Sequence, residues 1–266
     1  MKTNYLLLLA VLFIICLSAP ASAQQDNGVL LEYKATAGGG VNYILTVDSD
    51  SFFTLYGLEK KIRQNVVTEF TMGPGRDELP VKGADAYLIE IIEEKTVSDG
   101  EKVDSRAAGS KLNLKLTKAG KIIDSSDPSK LQYFQDLIIS FPEKPVKKGD
   151  TWKVETPLKI KNNDGSIKEL TAVLICKVEE FKEFDGKNCA VIETKLNVAD
   201  EKTSSASLKA SAAGVMHFDY ENGRIAAINN VINMDVKVFD EKMSSKKPIE
   251  ASTLKSKITV KLNLKK

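Results

Sequence analysis

From Val29 to the C-terminal lysines, apolar and polar residues alternate with a period of two over most of the chain. That period predicts strands with one buried face and one wet face. Turn signals separate the alternating runs: Asp99-Gly100, Ala119-Gly120, Asp164-Gly165, Asp185-Gly186 and Asn222-Gly223. Val29 to Ala35 reads as a first strand, Gly38-Gly39-Gly40 as a turn, and Val41 to Val47 as the next strand. Ile62, Val66 and Phe70 recur at steps of four, a spacing that a helix also produces. Their neighbours Val67, Thr68 and Thr71 favour a pleated surface instead. Ala86 to Thr96 and Leu112 to Leu116 continue the series.

The alternation also predicts register. Around Asn222-Gly223, a two-residue loop sets Met216 against Asn229 and mixes the faces. A three-residue loop, Glu221 to Gly223, sets Met216 against Ile228, Ala212 against Ile232, Ala210 against Met234 and Leu208 against Val236. One apolar face then runs the length of the hairpin, and a slip of one residue would turn it to solvent. This reading places Gly223 in a left-handed conformation within a G1 bulge.

The same argument at Asp185-Gly186 predicts a three-residue loop of Phe184, Asp185 and Gly186. It pairs Val178 with Ile192, Leu174 with Leu196 and Ala172 with Val198, so that Cys176 faces Thr194 and Cys189 faces Phe181. The two cysteines then occupy opposite faces, roughly 17 Å apart along the ladder at about 3.4 Å per residue. A disulfide needs Cα atoms within about 7 Å, so two free thiols are expected. The competing picture, a loop from Lys177 to Asn188 closed by a disulfide, discards the alternation on both sides.

One segment reads as helix. Asp127 suits an N-cap and Pro128 the first helical position. Leu131, Phe134, Ile138 and Phe141 recur at steps of three and four, and Pro142 closes the run. The pattern predicts an amphipathic helix from about Pro128 to about Ser140 that buries Leu131, Phe134 and Ile138. Such a helix either covers one side of a sheet or plugs the mouth of a curved one. Pro142 and Pro145 then force an extended path, Gly149-Asp150 turns, and Trp152 opens a strand. As the single tryptophan, Trp152 reads as a core anchor, with ligand stacking as the alternative.

The N-terminus changes the picture of where the chain works. Lys2, the apolar run Leu6 to Leu17 and Ala21-Ser22-Ala23 follow the plan of a cleavable signal peptide over residues 1–23. The run is too short to span a bilayer of about 30 Å. Cys16 raises a lipoprotein reading, which Ile15 opposes because lipoprotein signals want a small residue there. Cleavage leaves residues 24–266 as a single β-rich domain in a periplasmic or extracellular setting, with only Cys176 and Cys189 as cysteines. The whole chain carries 38 basic and 36 acidic residues, interspersed, with a net charge of +2. That balance gives no electrostatic case for nucleic acid or an acidic membrane as partner.

The segment Pro142-Glu143-Lys144-Pro145-Val146-Lys147-Lys148-Gly149-Asp150-Thr151-Trp152 resembles one carried by an exported, β-rich family of bacterial proteins common in Bacteroidota. Lys118-Ala119-Gly120-Lys121-Ile122, Gly186 to Ile192 and Phe218-Asp219-Tyr220-Glu221-Asn222-Gly223-Arg224-Ile225 are similar to further hairpins of that family. The resemblance spans roughly residues 84 to 238 and brings no activity with it. Separately, the general form of the chain is similar to the open half-barrels of periplasmic lipoprotein carriers, by architectural analogy alone.

Candidate chemistry is sparse. His217, the single histidine, falls with Ser207, Lys209 and Ser211 on the face opposite Ala206, Leu208 and Met216, which makes it a surface residue. No Gly-x-Ser-x-Gly elbow accompanies it, and a histidine-based zinc site lacks partners. Glu93-Glu94 and Glu179-Glu180 are strand neighbours that should point to opposite faces. Asp48 and Asp50 could touch a calcium ion or simply form a turn. No phosphate-binding glycine motif occurs; Gly38 to Gly40 joins two strands.

The expectation is therefore a mainly β protein, a curved antiparallel sheet of half-barrel or sandwich-like form with one amphipathic helix. Its function is expected to be non-enzymatic: an exported binding or envelope protein that holds an apolar small molecule or lipid in the concavity of the sheet. No catalytic residue, cofactor, metal, nucleic-acid partner or transmembrane anchor is expected. Two other readings stay open: a hydrolase whose polar residues meet only in three dimensions, and an interaction module that uses an exposed edge strand.

Overall fold

The computed structural model describes residues 28–35, 39–75, 82–103, 107–131, 134, 137–161, 167–202, 206–240 and 249–265. The expected signal segment, Gly38 and Asp164-Gly165 lie outside them. The strands are β1 Val41–Leu55, β2 Leu58–Pro74, β3 Ala84–Ser98, β4 Glu101–Val103, β5 Lys111–Thr117 and β6 Ile122–Ser125. After a single helical turn, α1 Pro128–Leu131, come β7 Thr151–Lys161, β8 Ile167–Phe184, β9 Lys187–Lys202, β10 Ala206–Asp219, β11 Arg224–Asp240 and β12 Ile249–Leu264.

They form one antiparallel sheet in the order β6-β5-β3-β2-β1-β12-β11-β10-β9-β8-β7, with β4 appended to β3. Strands of up to 18 residues twist strongly and curl the sheet. Alternation gives it an inner face, carrying Tyr43, Phe70, Ile89, Leu114, Ile192, Phe218, Ile228 and Leu262, and an outer face.

Two crossing segments fill the inner face over one half of the sheet. Leu31 and Tyr33 come from one; Phe134, Leu137, Ile139, Phe141 and Val146 come from the other, and all are buried. Val29 and Val146 exchange two backbone hydrogen bonds of 2.8 Å, which tie the segments together. Tyr33 stacks on Phe141 at 5.2 Å and meets the edge of Phe218 at 5.2 Å. Its hydroxyl accepts a hydrogen bond from Ile139 N–H at 3.2 Å. Trp152 opens β7 as expected, meets Phe141 edge-on, and donates its indole N–H to Ser140 O at 2.9 Å.

Val29 to Ala35 is thus extended, but it is not a strand of the sheet. Its donors go across the core instead: Tyr33 N–H to Lys118 O and Lys34 N–H to Gly223 O.

The amphipathic helix is not found. Asp127 does cap one turn, accepting from Lys130 N–H through its side chain and from Leu131 N–H through its carbonyl. Beyond it, Phe134 N–H bonds Leu131 O and Leu137 N–H bonds Phe134 O, the short i to i+3 pattern. Ile138 to Ser140 are not helical. The buried set is Phe134, Leu137, Ile139 and Phe141, while Leu131 and Ile138 are only half-buried. Tertiary partners explain the change of period: Ile139 N–H is taken by the Tyr33 hydroxyl and Phe141 N–H by Ala119 O. Gly120, beside that carbonyl, has φ 82°, and a β-carbon there would meet the Tyr33 ring and Ile139 O.

Both hairpin registers hold along the strands and differ at the turns. Met216 pairs with Ile228, Ala212 with Ile232, Ala210 with Met234 and Leu208 with Val236. The loop, however, is Tyr220 to Gly223, four residues rather than three, and a bulge at Ala226 absorbs the difference. Gly223 is left-handed at φ 64°. In the other hairpin Val178 pairs with Ile192, Leu174 with Leu196 and Cys176 with Thr194. Its loop is the two residues Asp185 and Gly186, at φ 52° and 71°, and Glu179 is bulged. Cys189 consequently faces Lys182, not Phe181.

Candidate functional site

The sequence candidates disperse. His217 lies on the outer face as expected, half-buried, its ring stacked on Phe184 at 4.0 Å. Partial burial, then the nearby Lys182, lower its pKa, and Glu180 opposes them. Asp48 and Asp50 are not a turn; they stand mid-strand in β1. Asp48 accepts from Asn65 Nδ2 at 2.6 Å, and Asp50 meets Arg63 at 3.3 Å and Lys61 at 3.9 Å. Among the described residues no group of three His, Cys, Asp or Glu side chains could hold a metal ion.

The acidic pairs divide. Glu93 and Glu94 sit opposite Glu69 and Thr68 in the regular ladder and so face opposite ways. Glu179 and Glu180 share the outer face, contrary to expectation, because the bulge at Glu179 inserts an extra residue. Each is held by a lysine, Lys177 at 2.7 Å and Lys182 at 2.6 Å. Hydrogen bonding to Lys182 lowers the pKa of Glu180, which keeps it a carboxylate rather than a proton donor.

Cys176 and Cys189 are free and buried, on opposite faces. Burial pushes the Cys176 thiol up to about 12 and the Cys189 thiol to about 11. Thiol reagent should therefore leave Cys176 and Cys189 of the folded protein untouched at neutral pH and find two thiols per chain, in protein lacking residues 1–23, once it is unfolded without reductant. Rapid labelling of the native protein, or no label after unfolding, would contradict this arrangement.

Among the described residues, no segment covers the half of the sheet beyond the crossing segments. On its inner face, Ile258, Ile232, Ala212 and Leu196 form one cross-strand row. Two residues further out lie Met234 and Ala210, then Leu254, Val236 and Leu208. Ile258, Ile232, Leu196, Met234, Leu254, Val236 and Leu208 are only partly buried and lie outside the core cluster and its packed fringe, whereas Ser256 and Val198, in the Met234 row, are buried. Polar groups stand at the margin of this tract. Ser51 Oγ and Ser256 Oγ are 2.8 Å apart, and Ser49 Oγ is 3.1 Å from Ser51 Oγ. Asn230 lies over Gly214, where a β-carbon would collide with it, and its Oδ1 is buried without a hydrogen-bond partner. By contrast, the spaces left inside the filled half, beside Phe134 and beside Tyr87, measure about 20 and 30 Å³, room for a water and not for an acyl chain.

On the outer face of the same half runs a groove of about 600 Å³ across β1, β12, β11 and β10. Its floor is the backbone of the row Ser51, Ser256, Met234 and Ala210, whose side chains point inward. One wall carries Asp50, Lys257, Asn233 and Ser211; the other carries Phe52, Lys255, Asp235 and Lys209. Sequence reasoning missed this cluster because the lysines come from strands far apart in sequence. Lys255 and Lys257, two residues apart on one strand, were the only local signal.

No known family profile matches the chain, and no curated protein matches it. Among solved structures it is similar to DynF from the dynemicin biosynthesis pathway of Micromonospora chersina, at 10% identity over 90% of this chain and 88% of that one, with a TM-score of 0.22. It is also similar to the translocator domain of the autotransporter NalP from Neisseria meningitidis, at 9% identity over 98% and 97%, with a TM-score of 0.20. Likenesses this distant carry no argument about function.

Proposed function

We propose that the protein is an exported, non-enzymatic envelope protein that binds an apolar ligand on the uncovered half of the inner face. The observation that carries this reading is the run of apolar rows from Ile258 to Leu254, which no described segment packs against. Contiguous apolar surface left facing solvent marks a binding site in a soluble protein. The concavity over the other half is occupied by Phe134, Phe141 and Tyr33, so the ligand belongs beyond them. Ser51, Ser256 and Asn230 supply the few polar handles that orient a ligand in an apolar site. The hydrolase reading gains little, because Ser49, Ser51 and Ser256 bond to one another and not to an activating base.

Native mass spectrometry of protein purified from its own envelope, followed by lipid extraction, tests the proposal. The expected result is a fatty-acyl adduct whose affinity falls at least about tenfold in Val236→Asp, since a charge on the tract loses more than 1.4 kcal/mol of apolar contact. A clean apo mass together with no affinity for added fatty acids sinks the ligand reading.

A further inference from the structure

We propose that the β1–β2 hairpin tip and the lysine groove behind it dock the protein on an anionic phospholipid bilayer. The tip concentrates exposed apolar side chains. Leu58 is 77% exposed, Tyr56 58%, Leu55 42% and Phe52 40%, all within seven residues. Leu55 and Leu58 pair directly across the turn, so both stand at the end of the β1–β2 hairpin, while β12 continues past its Leu55 partner, Ser252, to Ile249. The turn residues Tyr56 and Gly57 are both left-handed, at φ 46° and 83°. Asparagine, aspartate and glycine take such a turn at little cost; tyrosine does not. An aromatic ring is held at the outermost point of the hairpin against its backbone preference. Tyrosine with flanking leucines is the composition that settles at a bilayer interface, with ring and aliphatic carbons among the acyl chains and hydroxyl in the headgroups.

The charge behind the tip is complementary to such a surface. Lys209, Lys255 and Lys257 make no ion pair among the described residues, although they share the groove with Asp50 and Asp235. Asp50 is engaged by Arg63 and Lys61. The groove rows at Asp50 and Phe52 lie four to six residues behind Tyr56, roughly 14–20 Å along the strand at about 3.4 Å per residue. With the tip sunk about 5–10 Å into the interface, the flexible stems of the lysines reach the lipid phosphates. A net charge of +2 hides this in the composition, because the meeting of Lys61, Lys209, Lys255 and Lys257 in one groove is local. The proposal does not rest on the inner-face ligand site, which uses the other side of the sheet.

Co-sedimentation of the intact protein with vesicles of equal parts phosphatidylglycerol and phosphatidylcholine, and with vesicles of phosphatidylcholine alone, tests it. The protein should bind the anionic vesicles and release them as salt rises. Neutralising Lys209, Lys255 and Lys257 together to Gln should weaken binding by about a hundredfold, at about fivefold per lysine. Tyr56→Asn with Leu58→Gln, which keeps a left-handed turn, should abolish binding at all salt concentrations while leaving the thermal melt intact. Equal binding to neutral vesicles, no binding to either, or indifference to both sets of substitutions overturns the proposal. So does concentration-dependent self-association that the tip variant abolishes, which would assign the tip to a second copy of the chain.

Discussion

Replacing Phe134 with alanine is expected to lower the unfolding free energy by about 3–5 kcal/mol, the cost of deleting a buried aromatic ring and leaving its cavity. The ring is 4% exposed and meets the edge of Phe70 at 5.2 Å, and Phe70 stacks on Tyr43 at 5.3 Å. Phe134 sits between two short turns whose hydrogen bonds run Phe134 N–H to Leu131 O and Leu137 N–H to Phe134 O. Those turns are too short to persist without the ring, since an isolated helical turn costs more to nucleate than its bonds return. The truncation should therefore loosen Leu137 and Ile139 as well. The measurement is a urea titration: the midpoint should fall with little change in slope. An unchanged midpoint would mean that the crossing segment does not hold the sheet, and would return Phe134 to the candidates for ligand contact.

Asp219→Ala should cost about 2–4 kcal/mol by the same measurement. Asp219 has no exposure and collects the donors of its own loop. It accepts from Asn222 N–H at 3.1 Å, from Asn222 Nδ2 at 2.8 Å and from Arg224 Nε at 3.3 Å. Alanine leaves these donors without an acceptor; the partial exposure of Arg224 lets water recover a share, which keeps the figure below that of a fully buried pair. The loop is also a dock. Gly223 O accepts from Lys34 N–H, and a β-carbon at Gly223 would meet Glu32 O at 2.6 Å. Asp219→Asn should recover less than half of the loss, because the amide adds donors where donors already crowd. A variant as stable as the parent would show that Gly223 alone holds the loop.

This loop also shows where sequence reasoning stops. The ladder from Leu208–Val236 to Met216–Ile228 was legible because burying one apolar face over many residues outweighs any local preference. Loop length was not legible. The contacts of Asp219 hold four residues in the turn, and a bulge at Ala226 restores the register that the faces demand. In the β8–β9 hairpin the left-handed pair Asp185-Gly186 closes a two-residue turn, and Glu179 bulges for the same reason. That bulge in turn placed Glu179 and Glu180 on one face, against the simple rule of alternation. Tyr56-Gly57 escaped notice as a turn, since tyrosine is not a left-handed residue by preference and only Gly57 signalled it.

What the sequence by itself determined about this protein is that it is mainly strand, the face that residues take in the long hairpins up to their bulges, and the placing of Cys176 and Cys189 on opposite faces. Each follows from a period of two, repeated often enough to survive local exceptions. Tertiary structure alone decided what fills the inner face and what is left open. Asp127 could start one helical turn, but the backbone donors of Ile139 and Phe141 found partners in Tyr33 and Ala119, so Ile138 to Ser140 are not helical. The lysine groove gathers Lys209, Lys255 and Lys257 from β10 and β12, with β11 between them. No spacing along the chain records that meeting, because strand order brings them together and local sequence does not.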